Sequence, residues 1–456
     1  MPPDSTRLRA DAGRIWQAGV DAVRSDHLVK QSLRVEGPTL WIGEQPIELP
    51  DIRRIAVVGA GKAGAGMAAA VEDVLGPELC DAKQLTGWVN VPADCVRPLR
   101  RIRLHAARPA GVNEPTPEGV RGAEEILRLV GSLGPDDLCL CLISGGGSAL
   151  LPAPVEEITL DDKLAVTRHL SAAGAHIGQL NTVRKQLSRV KGGGLARACR
   201  AGRLVTLIIS DVLGDPVDMI ASGPTVVDDS STPEAALEVL EQFGARQAGI
   251  GPAVFDYLRQ RRNTPPPPTS TQVIHQIIGN NATAVEAAGE EALRLGYSPA
   301  MLSATQPEGS AEEVGRHLAG MAIRMREKPQ PDCLISGGEP VVHLVDSARR
   351  GLGGRNQQLV LAALEHLAAT GPLGANGAEG IAILSGGTDG EDGPTDAAGA
   401  VLDADVLRAA VDHKLDPTDH LARNDAYHFF EPLGALIVTG PTHTNVCDLR
   451  VVVVGR

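Results

Sequence analysis

A glycine-rich loop that contains a lysine is the first feature able to carry chemistry. Gly59, Gly61 and Gly64 fit the pattern G-x-G-x-x-G after an apolar run, and the same loop holds Lys62. Such loops bind dinucleotides, although tight strand-to-helix turns also use glycine for packing alone. A cation among the amides of a helix N-terminus favours a phosphate or carboxylate ligand. We therefore predict that Gly61 and Lys62 bind an anionic substrate, with a solvated surface lysine as the plain alternative.

Two further glycine clusters indicate phosphate binding. The segment 144–148 follows an apolar run, and its three glycines let backbone amides converge on an anion. The segment 191–194 lies in the most basic stretch of the chain, which also contains Arg184. A flexible turn and a solvated basic face are the respective alternatives. The predicted nucleotide- or phosphate-binding residues are Ser144, Gly145, Gly146, Gly147, Ser148, Lys191, Gly192, Gly193 and Gly194.

Carboxylates follow two apolar runs, one in each half of the chain. Asp211 comes after the run 205–209, and the segment 388–396 holds four acidic residues, including Asp389. Because Mg²⁺ takes one or two carboxylates together with phosphate and water, we predict that Asp211 and Asp389 hold this metal or accept a proton. Aspartate is also a common turn residue, so each carboxylate alone is equally consistent with a plain turn. Glu339, in Ser-Gly-Gly-Glu-Pro, is a further candidate.

Arg355 is the most informative cation of the second half. It follows a glycine-rich segment and precedes a helical pattern, so we expect it in the first turn of a helix. A cation at that end of a helix is slightly unfavourable by itself, and anion binding is the better explanation. His443, in Gly-Pro-Thr-His-Thr-Asn, fits a structural role better than a catalytic one.

The composition excludes several functional classes. With 43 basic and 56 acidic residues the net charge is −13, which argues against nucleic-acid binding. Apolar runs fall short of the ~18 residues of a membrane-spanning helix, and the N-terminal segment lacks an apolar signal core. We expect a cytoplasmic protein, a monomer or homodimer, that acts on small molecules. The seven cysteines contain no C-x-x-C pair, so we predict neither disulfides nor a zinc site.

Apolar runs and helical patterns alternate along the chain and position the candidate residues. Runs rich in leucine and β-branched residues precede the glycine clusters, as expected for strands buried on both faces. The alternation predicts an α/β fold with mainly parallel sheets, in which ligands bind beyond the carboxyl ends of the strands. The predicted helices cover residues 117–130, 159–173, 233–243, 282–295, 311–326 and 355–369.

A proline-rich segment divides the sequence into two α/β halves. Four successive prolines at 265–268 cannot donate backbone hydrogen bonds and favour an extended linker. We predict an amino-terminal domain over residues 1–264, a linker over 265–272 and a carboxy-terminal domain over 273–456.

Taken together, these motifs closely resemble those of the bacterial glycerate 2-kinase family. Members carry a MOFRL carboxy-terminal domain, and some are labelled hydroxypyruvate reductase. The resemblance runs in order from about Asp11 to Val454. It implies a Rossmann-like amino-terminal domain, a smaller α/β MOFRL domain and a catalytic cleft between them. The motifs are GAGKAGAGM, LISGGGSALLPAP, NTVRKQLSRVKGGGLA, ISDVLGDPVDMIASGPT, SGGEP, GLGGRNQQ, SGGTDGEDGPTDAAGA and TGPTHTNVCDL.

The resemblance further implies phosphorylation of D-glycerate at its 2-hydroxyl with ATP and Mg²⁺. By motif match, Lys62 and Arg355 stand where the family is thought to have its essential cations. Which cation takes the γ-phosphoryl group and which takes the glycerate carboxylate stays open, as does the division of roles between the two aspartates. We expect catalytic roles for Lys62, Arg355, Asp211 and Asp389. The expected substrate-binding residues are Gly61, Lys62, Arg184, Glu339 and Arg355.

Two other classes of function compete with a kinase. An NAD(P)H-dependent hydroxypyruvate reductase would use the G-x-G-x-x-G loop and needs an acid ~20 residues beyond it at the end of a strand. Asp81 has about that spacing, but the segment around it is a poor strand. A non-catalytic sensor of a sugar acid or nucleotide would leave the carboxylates of both halves without a purpose.

Overall fold

The chain forms two compact units in the computed structural model, which describes residues 5–112, 114–227, 231–262, 268–370 and 375–455. The first unit is Ser25–Ile278, and the second unit combines Met1–Arg24 with Gly279–Arg456. None of the helices in these described ranges has the length and apolar character needed to cross a bilayer.

Strands and helices alternate over most of the chain. The strands are β1 (Leu33–Glu36), β2 (Thr39–Ile42), β3 (Gln45–Glu48), β4 (Ile55–Ala60), β5 (Thr86–Pro92), β6 (Ile102–Arg108), β7 (Leu138–Ile143), β8 (Arg203–Ile209), β9 (Gln272–Gly279), β10 (Pro299–Ser303), β11 (Cys333–Gly338), β12 (Ile381–Gly387), β13 (Gly399–Leu402), β14 (Leu436–Ile437) and β15 (Asp448–Val454). The helices are α1 (Ser5–Ala22), α2 (Ser25–Ser32), α3 (Gly64–Ala82), α4 (Pro117–Gly131), α5 (Gly147–Leu150), α6 (Leu160–Ala172), α7 (Ile177–Gln186), α8 (Gly194–Ala198), α9 (Pro233–Gln242), α10 (Pro252–Arg261), α11 (Asn281–Arg294), α12 (Ala311–Arg326), α13 (Arg355–Thr370), α14 (Ala404–Asp412), α15 (Pro417–Ala422) and α16 (Ala426–Phe430).

The first unit contains a six-stranded sheet in the order β6-β5-β4-β7-β8-β9. Its pairings from β6 to β8 are parallel, and β4 and β7 are buried along their whole length. Ala60 pairs with Ile143, and Ile143 pairs with Ile208. The carboxyl ends of β4, β7 and β8 are therefore adjacent, and the loops that follow them form one edge of the sheet.

The second unit contains a mixed sheet in the order β10-β11-β15-β12-β13-β14. Only the β10–β11 pairing is parallel among the pairings described, and β15 runs antiparallel to both of its neighbours. The predicted α/β class is confirmed in both units. The expectation of a mainly parallel sheet is correct for the first unit and wrong for the second, because the last apolar run of the chain inserts between β11 and β12.

The compact units differ from the predicted domain bounds at two places. Helix α1 belongs to the second unit, where Trp16 packs against Gly386 of β12 and donates a hydrogen bond to its carbonyl (3.4 Å). Strand β9 belongs to the first unit, as an edge strand of its sheet. Residues 265–267 of the predicted linker lie outside the described residues. In the remaining part, Thr269 and Thr271 donate to carbonyls in and beside α8, and Gln272 begins β9.

Helix bounds agree with the sequence patterns to within two residues. Helix α6 begins with a capping box: Thr159 Oγ1 accepts from the Asp162 amide (3.1 Å), and Asp162 Oδ2 accepts from the Thr159 amide (3.0 Å). Such caps satisfy amides that have no partner within the helix, and so they define where the helix begins.

A buried carboxylate in α3 fixes the entry of the chain into β6. Glu72 is 6% exposed, and its carboxylate accepts from the amides of Arg100 (2.8 Å), Arg101 (2.7 Å) and Ile102 (2.8 Å). Arg100 and Arg101 are exposed, whereas Ile102 is buried and its amide would otherwise lack an acceptor away from water. Hydrogen bonds from amides to a charged carboxylate are stronger than hydrogen bonds from amides to a neutral acceptor.

We expect Glu72→Gln to lower the free energy of unfolding by about 1–3 kcal/mol, because an amide oxygen replaces a charged acceptor and the new NH₂ group faces donors. Urea denaturation of both variants measures the difference. The adjacent Asp73→Asn is the control: its carboxylate is 63% exposed and pairs with Lys30 at the surface, so a change below about 0.5 kcal/mol is expected. Equal effects of the two substitutions would contradict this role of Glu72.

Candidate active site

The loops after β4 and β7 touch at Gly61. This residue has φ +151°, and a Cβ atom built on it would lie 2.0 Å from Ser144 Oγ. Glycine is required by the approach of the serine as well as by the backbone conformation. Ser144 is buried and its Oγ accepts from the amide of Ala63 (3.0 Å). The serine therefore connects the carboxyl ends of the two central strands.

The amides of the G-x-G-x-x-G loop are used inside the protein. Gly61 donates to the carbonyl of Asn90 (3.2 Å), Lys62 to that of Gly145 (2.9 Å), and Gly64 to that of Gly61 (3.1 Å). With Ala63 bonded to Ser144, the loop keeps no run of amides for a pyrophosphate. The amide of Gly61 is therefore not available to a ligand in this structure. The absence of a side chain at this position allows the close approach of Ser144.

The loop 144–148 retains the features of an anion site. The amides of Gly145 and Gly146 donate no hydrogen bond within the described residues, whereas Gly147 donates to Ser144 as α5 begins. A Cβ atom on Gly146 would lie 3.3 Å from Nη2 of Arg108 and 3.6 Å from Cγ of Lys62. Two cations therefore flank the loop. Arg108 was not among the predicted residues; it ends β6, which is separated from β7 in the sheet by β5 and β4.

The segment 191–194 does not form the predicted cradle of amides. Gly192 donates to Ser222 (3.0 Å), Gly193 to Gly223 (2.8 Å) and Gly194 to Lys191 (3.1 Å). Gly193 has φ +78°, and a Cβ there would lie 2.7 Å from Cα of Val227. The amides of these three glycines, predicted to donate to a phosphate, are therefore bonded within the protein in this structure. They fix the chain at α8 and so position Lys191.

Arg184 and Lys191 contact Ser148, and Lys163 lies near both of them; these three side chains are named the cation cluster. Lys191 Nζ donates to the carbonyl (2.9 Å) and Oγ (2.6 Å) of Ser148, and Arg184 also donates to Ser148 Oγ. Lys163 Nζ donates to the carbonyl of Leu187 (2.9 Å). All of these acceptors are neutral. In the described part of the chain no carboxylate forms an ion pair with the cluster.

Burial and mutual repulsion weaken the charge of the cluster. Burial, together with the charge of Arg184, lowers the pKa of Lys163 to about 7 and holds the pKa of Lys191 well below its ordinary value. Both lysines are less than 10% exposed. Lys163 was missed because it lies in the helical pattern of α6, where a lysine indicates a solvated face. Its burial depends on packing that the local sequence does not encode.

Asp211 lies directly after β8 in the first unit and is half-buried. Nearby in sequence, Asp218 accepts from Lys185 (3.4 Å), whose side chain is buried. Asp81, the acid at the spacing expected of a dinucleotide site, ends α3 and pairs with Arg101 instead of following a strand.

Arg355 begins α13 in the second unit, as predicted, and is held by two carboxylates. Its Nε and Nη2 donate to Asp448 (2.8 and 3.0 Å), and its Nη1 donates to Glu339 (2.8 Å). Although burial opposes the charged form, these carboxylates raise the pKa of Arg355. Asp448 is fully buried and also accepts from Asn356. It was missed because it begins the strand β15, which the sequence analysis did not identify.

The N-terminus of α13 is capped by Asp392. Its carboxylate accepts from the amides of Asn356 (3.0 Å) and Gln357 (2.9 Å). Burial raises the pKa of Asp392 to about 7, although these hydrogen bonds act in the opposite direction. Asp389 is half-buried after β12, and its Oδ1 accepts from the amide of Glu391 (3.1 Å). Among the described residues, no group of three His, Cys, Asp or Glu side chains is arranged to hold a metal ion.

The fold and these sites define a class of protein: two α/β units, one with a glycine-rich loop at the carboxyl ends of parallel strands whose amides at Gly145 and Gly146 donate no hydrogen bond among the described residues. Two family descriptions match the chain, "Domain of unknown function (DUF4147)" over residues 11–259 and "MOFRL family" over residues 332–448. The chain belongs to the DUF4147–MOFRL family, whose members include proteins named glycerate kinase. The predicted family is confirmed.

Similar proteins cover nearly the whole chain. The D-glycerate 2-kinase of Thermotoga maritima is 34% identical over 451 residues, which are 98% of each chain. A protein of Agrobacterium vitis with a provisional hydroxypyruvate reductase name is 42% identical over 407 residues, 88% of this chain and 87% of the relative. The crystal structure of glycerate kinase from Thermotoga maritima matches with a TM-score of 0.82 and 34% identity, covering 98% of this chain and 100% of that one.

We expect Asp448→Asn to lower the free energy of unfolding by about 3 kcal/mol, because it leaves the partly buried Arg355 guanidinium without its buried counter-charge. Urea denaturation measures the loss. Glu339→Gln is the matched control, since it removes the carboxylate on the exposed side of the same guanidinium and should cost less than about 1 kcal/mol. A larger loss for Glu339→Gln than for Asp448→Asn would refute this account of how Arg355 is held.

Proposed function

We propose that this protein is a glycerate kinase that transfers the γ-phosphoryl group of ATP to the 2-hydroxyl of D-glycerate, giving 2-phosphoglycerate and ADP. The observation that carries the proposal is the full-length similarity to a protein named D-glycerate 2-kinase. The loop after β7 supports it as well, because among the described residues it presents unbonded amides beside Lys62 and Arg108, and phosphoryl transfer is catalysed mainly by positioning and by neutralising charge on the transferred group.

The phosphate groups would be held by the loop after β7. The amides of Gly145 and Gly146 supply neutral donors, and Lys62 and Arg108 beside Gly146 supply charge. Ser148 would contribute by orienting Arg184 and Lys191, which both donate hydrogen bonds to its Oγ. Donors fixed before the reaction stabilise developing charge without reorganisation, which makes this loop suited to the transferred phosphoryl group.

Glycerate would be bound by Arg355 of the second unit. Its guanidinium is fixed by the buried Asp448, and Glu339 occupies the remaining nitrogen from the solvent side. A substrate carboxylate would replace Glu339 there. In the reaction, O2 of glycerate forms a bond to the γ-phosphorus as the bond to the β,γ-bridging oxygen breaks. The hydroxyl proton would pass to Asp211 or Asp389, and ADP leaves with the electron pair.

Magnesium fits the residues present as an ion that accompanies the nucleotide. Mg²⁺ is usually held by one or two carboxylates, with phosphate oxygens and water completing its octahedron. Asp211 and Asp389 each follow a strand and are half-buried, so either can supply such a ligand. When bound, the ion would neutralise charge on the phosphate oxygens. The small number of protein ligands is compatible with the lack of a three-residue metal group among the described residues.

An NAD(P)H-dependent hydroxypyruvate reductase is the second candidate, because the relative from Agrobacterium vitis carries that name. Two features argue against it. The amides of the Gly59–Gly64 loop are bonded within the protein, and Asp81 is paired in a helix. A dinucleotide would therefore have neither the pyrophosphate donors nor the ribose acid of the usual dinucleotide site.

The purified protein is expected to release ADP when incubated with D-glycerate, ATP and Mg²⁺, and to yield 2-phosphoglycerate by phosphorus and proton NMR. A parallel reaction holds hydroxypyruvate and NADH and is followed at the nicotinamide absorbance. ADP release with the 3-phospho isomer would correct the position of transfer. Oxidation of NADH without ADP release would overturn the proposal in favour of the reductase.

We expect Lys62→Ala to lower kcat/KM by about 10²–10⁴, the range for removing an electrostatic contact to a transition state. Steady-state kinetics with glycerate and ATP measure the loss. Lys30→Ala, which removes a lysine of the same unit whose side chain is 48% exposed, is the control and should retain the wild-type rate. Near-normal turnover of Lys62→Ala would remove this residue from the proposed machinery.

A further inference from the structure

A cavity of about 300 Å³ lies beside Ser148 in the first unit. The cation cluster forms one part of its wall, and apolar side chains from α6 and α7, including Leu164 and Leu180, form much of the rest. At the rim, Glu114 and Arg168 pair with each other through two hydrogen bonds (2.8 and 2.5 Å). The only acidic side chain among the residues that line the cavity is therefore already compensated.

The charge of this cavity is unbalanced. Three basic side chains meet there, and their hydrogen-bond acceptors are the carbonyls of Leu187 and Ser148 and the side-chain oxygens of Ser148, Asn181 and Ser222. Burying a charge without a counter-charge is costly, and proteins normally avoid it by pairing. An arrangement that concentrates three such groups points to a counter-charge supplied from outside the chain.

A neutral donor beside the cluster lacks an acceptor as well. Asn181 is 3% exposed; its Oδ1 accepts from Ser222 (3.0 Å) and Arg184 (3.4 Å), but its Nδ2 has no acceptor in the described residues. Ser222 is held by a backbone with left-handed φ at Ala221 (51°), Ser222 (63°) and Gly223 (60°). Strain of this kind persists where the surrounding structure requires it, commonly at ligand sites.

We propose that this cavity binds the phosphoryl groups of a phosphorylated ligand, and that Lys163 is a further binding residue for them. A monoanion such as a carboxylate can balance only one of the three side chains, whereas a diphosphate carries enough negative charge to balance all three once both lysines are protonated beside it. The inference rests on the proposed function in one respect, namely that the ligand there is the nucleotide. A free phosphorylated metabolite shares the same chemistry.

The test measures binding directly and without turnover. Inorganic pyrophosphate, ADP and adenosine are titrated by calorimetry into the wild type, Lys163→Met and the control Lys30→Met at constant ionic strength. Because a hydrogen bond to a charged group contributes about 1.5–3 kcal/mol, Lys163→Met should weaken pyrophosphate binding about 10- to 100-fold. Lys30→Met should bind within about twofold of the wild type. Binding of ADP affected like that of pyrophosphate, with adenosine unaffected, identifies the phosphoryl groups as the part recognised.

Thermal unfolding separates a binding role from a structural one. Without ligand, Lys163→Met should unfold at the wild-type temperature or above, since it removes a buried charge. With pyrophosphate, the rise in Tm seen in the wild type should be reduced in the variant. Lys163→Arg retains the charge and should keep most of the binding. Comparing it with Lys163→Met distinguishes the loss of the charge from a local packing defect in the Met variant.

Several outcomes would overturn the inference: no binding of pyrophosphate to the wild type, equal binding by Lys163→Met, or loss of binding in both Lys163→Met and Lys163→Arg with an equal loss of unliganded stability. These outcomes are distinct from failure of the proposed function. If the wild type binds pyrophosphate through Lys163 but does not phosphorylate glycerate, the cavity site stands and the glycerate kinase assignment fails. If glycerate is phosphorylated but Lys163→Met binds nucleotide normally, the glycerate kinase assignment stands and the cavity site fails.

Discussion

The first unit depends on one physical constraint, the burial of positive charge without negative charge of its own. Arg184 and Lys191 contact Ser148, Lys163 lies near both of them, and all their acceptors are neutral oxygens. Much of the surrounding structure serves to hold this arrangement. The glycines before α8 donate their amides to carbonyls of the left-handed segment 221–223, and this contact holds Lys191 in place. The proposed phosphorylated ligand would complete the balance of charge.

The second unit solves the corresponding problem within its own chain. Arg355 is compensated by the buried Asp448 and the exposed Glu339, and Asp392 caps the helix that Arg355 begins. Its guanidinium is therefore oriented before any substrate arrives, and only the contact with Glu339 is open to exchange. A cation held in this way is suited to a monoanionic carboxylate, whereas the cation cluster of the first unit is suited to a more highly charged group.

The sequence was sufficient for the features that depend on local pattern. The strands β4, β7 and β8, the helices α4 and α6 and the position of Arg355 at the start of α13 follow from apolar runs, caps and glycines. Features set by tertiary structure were not accessible. The strand β15 was not identified from the sequence, so the mixed second sheet and the burial of Asp448 were missed. Likewise α1 and β9 each pack with elements far away in sequence.

Glycine motifs were the least reliable guide to binding. The three clusters look equivalent in sequence, yet only the loop 144–148 keeps amides without acceptors in the described chain, at Gly145 and Gly146. At Gly61 and Gly193 the missing side chain permits close contact instead. The clearest functional candidate added by the structure, Lys163, has no motif at all. Its importance comes from burial beside two other cations, which only the folded chain brings about.

The central claim is that a phosphorylated ligand supplies the missing counter-charge. The most direct test of this claim measures the uptake of protons when the ligand binds. ADP is titrated by calorimetry in several buffers that differ in their ionisation enthalpy. The pH is set about two units above the second pKa of a phosphate monoester, which is ~6, so that the ligand is fully ionised. Burial lowers the pKa of Lys163 to about 7, so its amine is largely neutral at that pH. An anion beside Lys163, Arg184 and Lys191 favours the charged lysines and raises their pKa. The account predicts net uptake of protons by the wild type and smaller uptake by Lys163→Met; equal or absent uptake would contradict it.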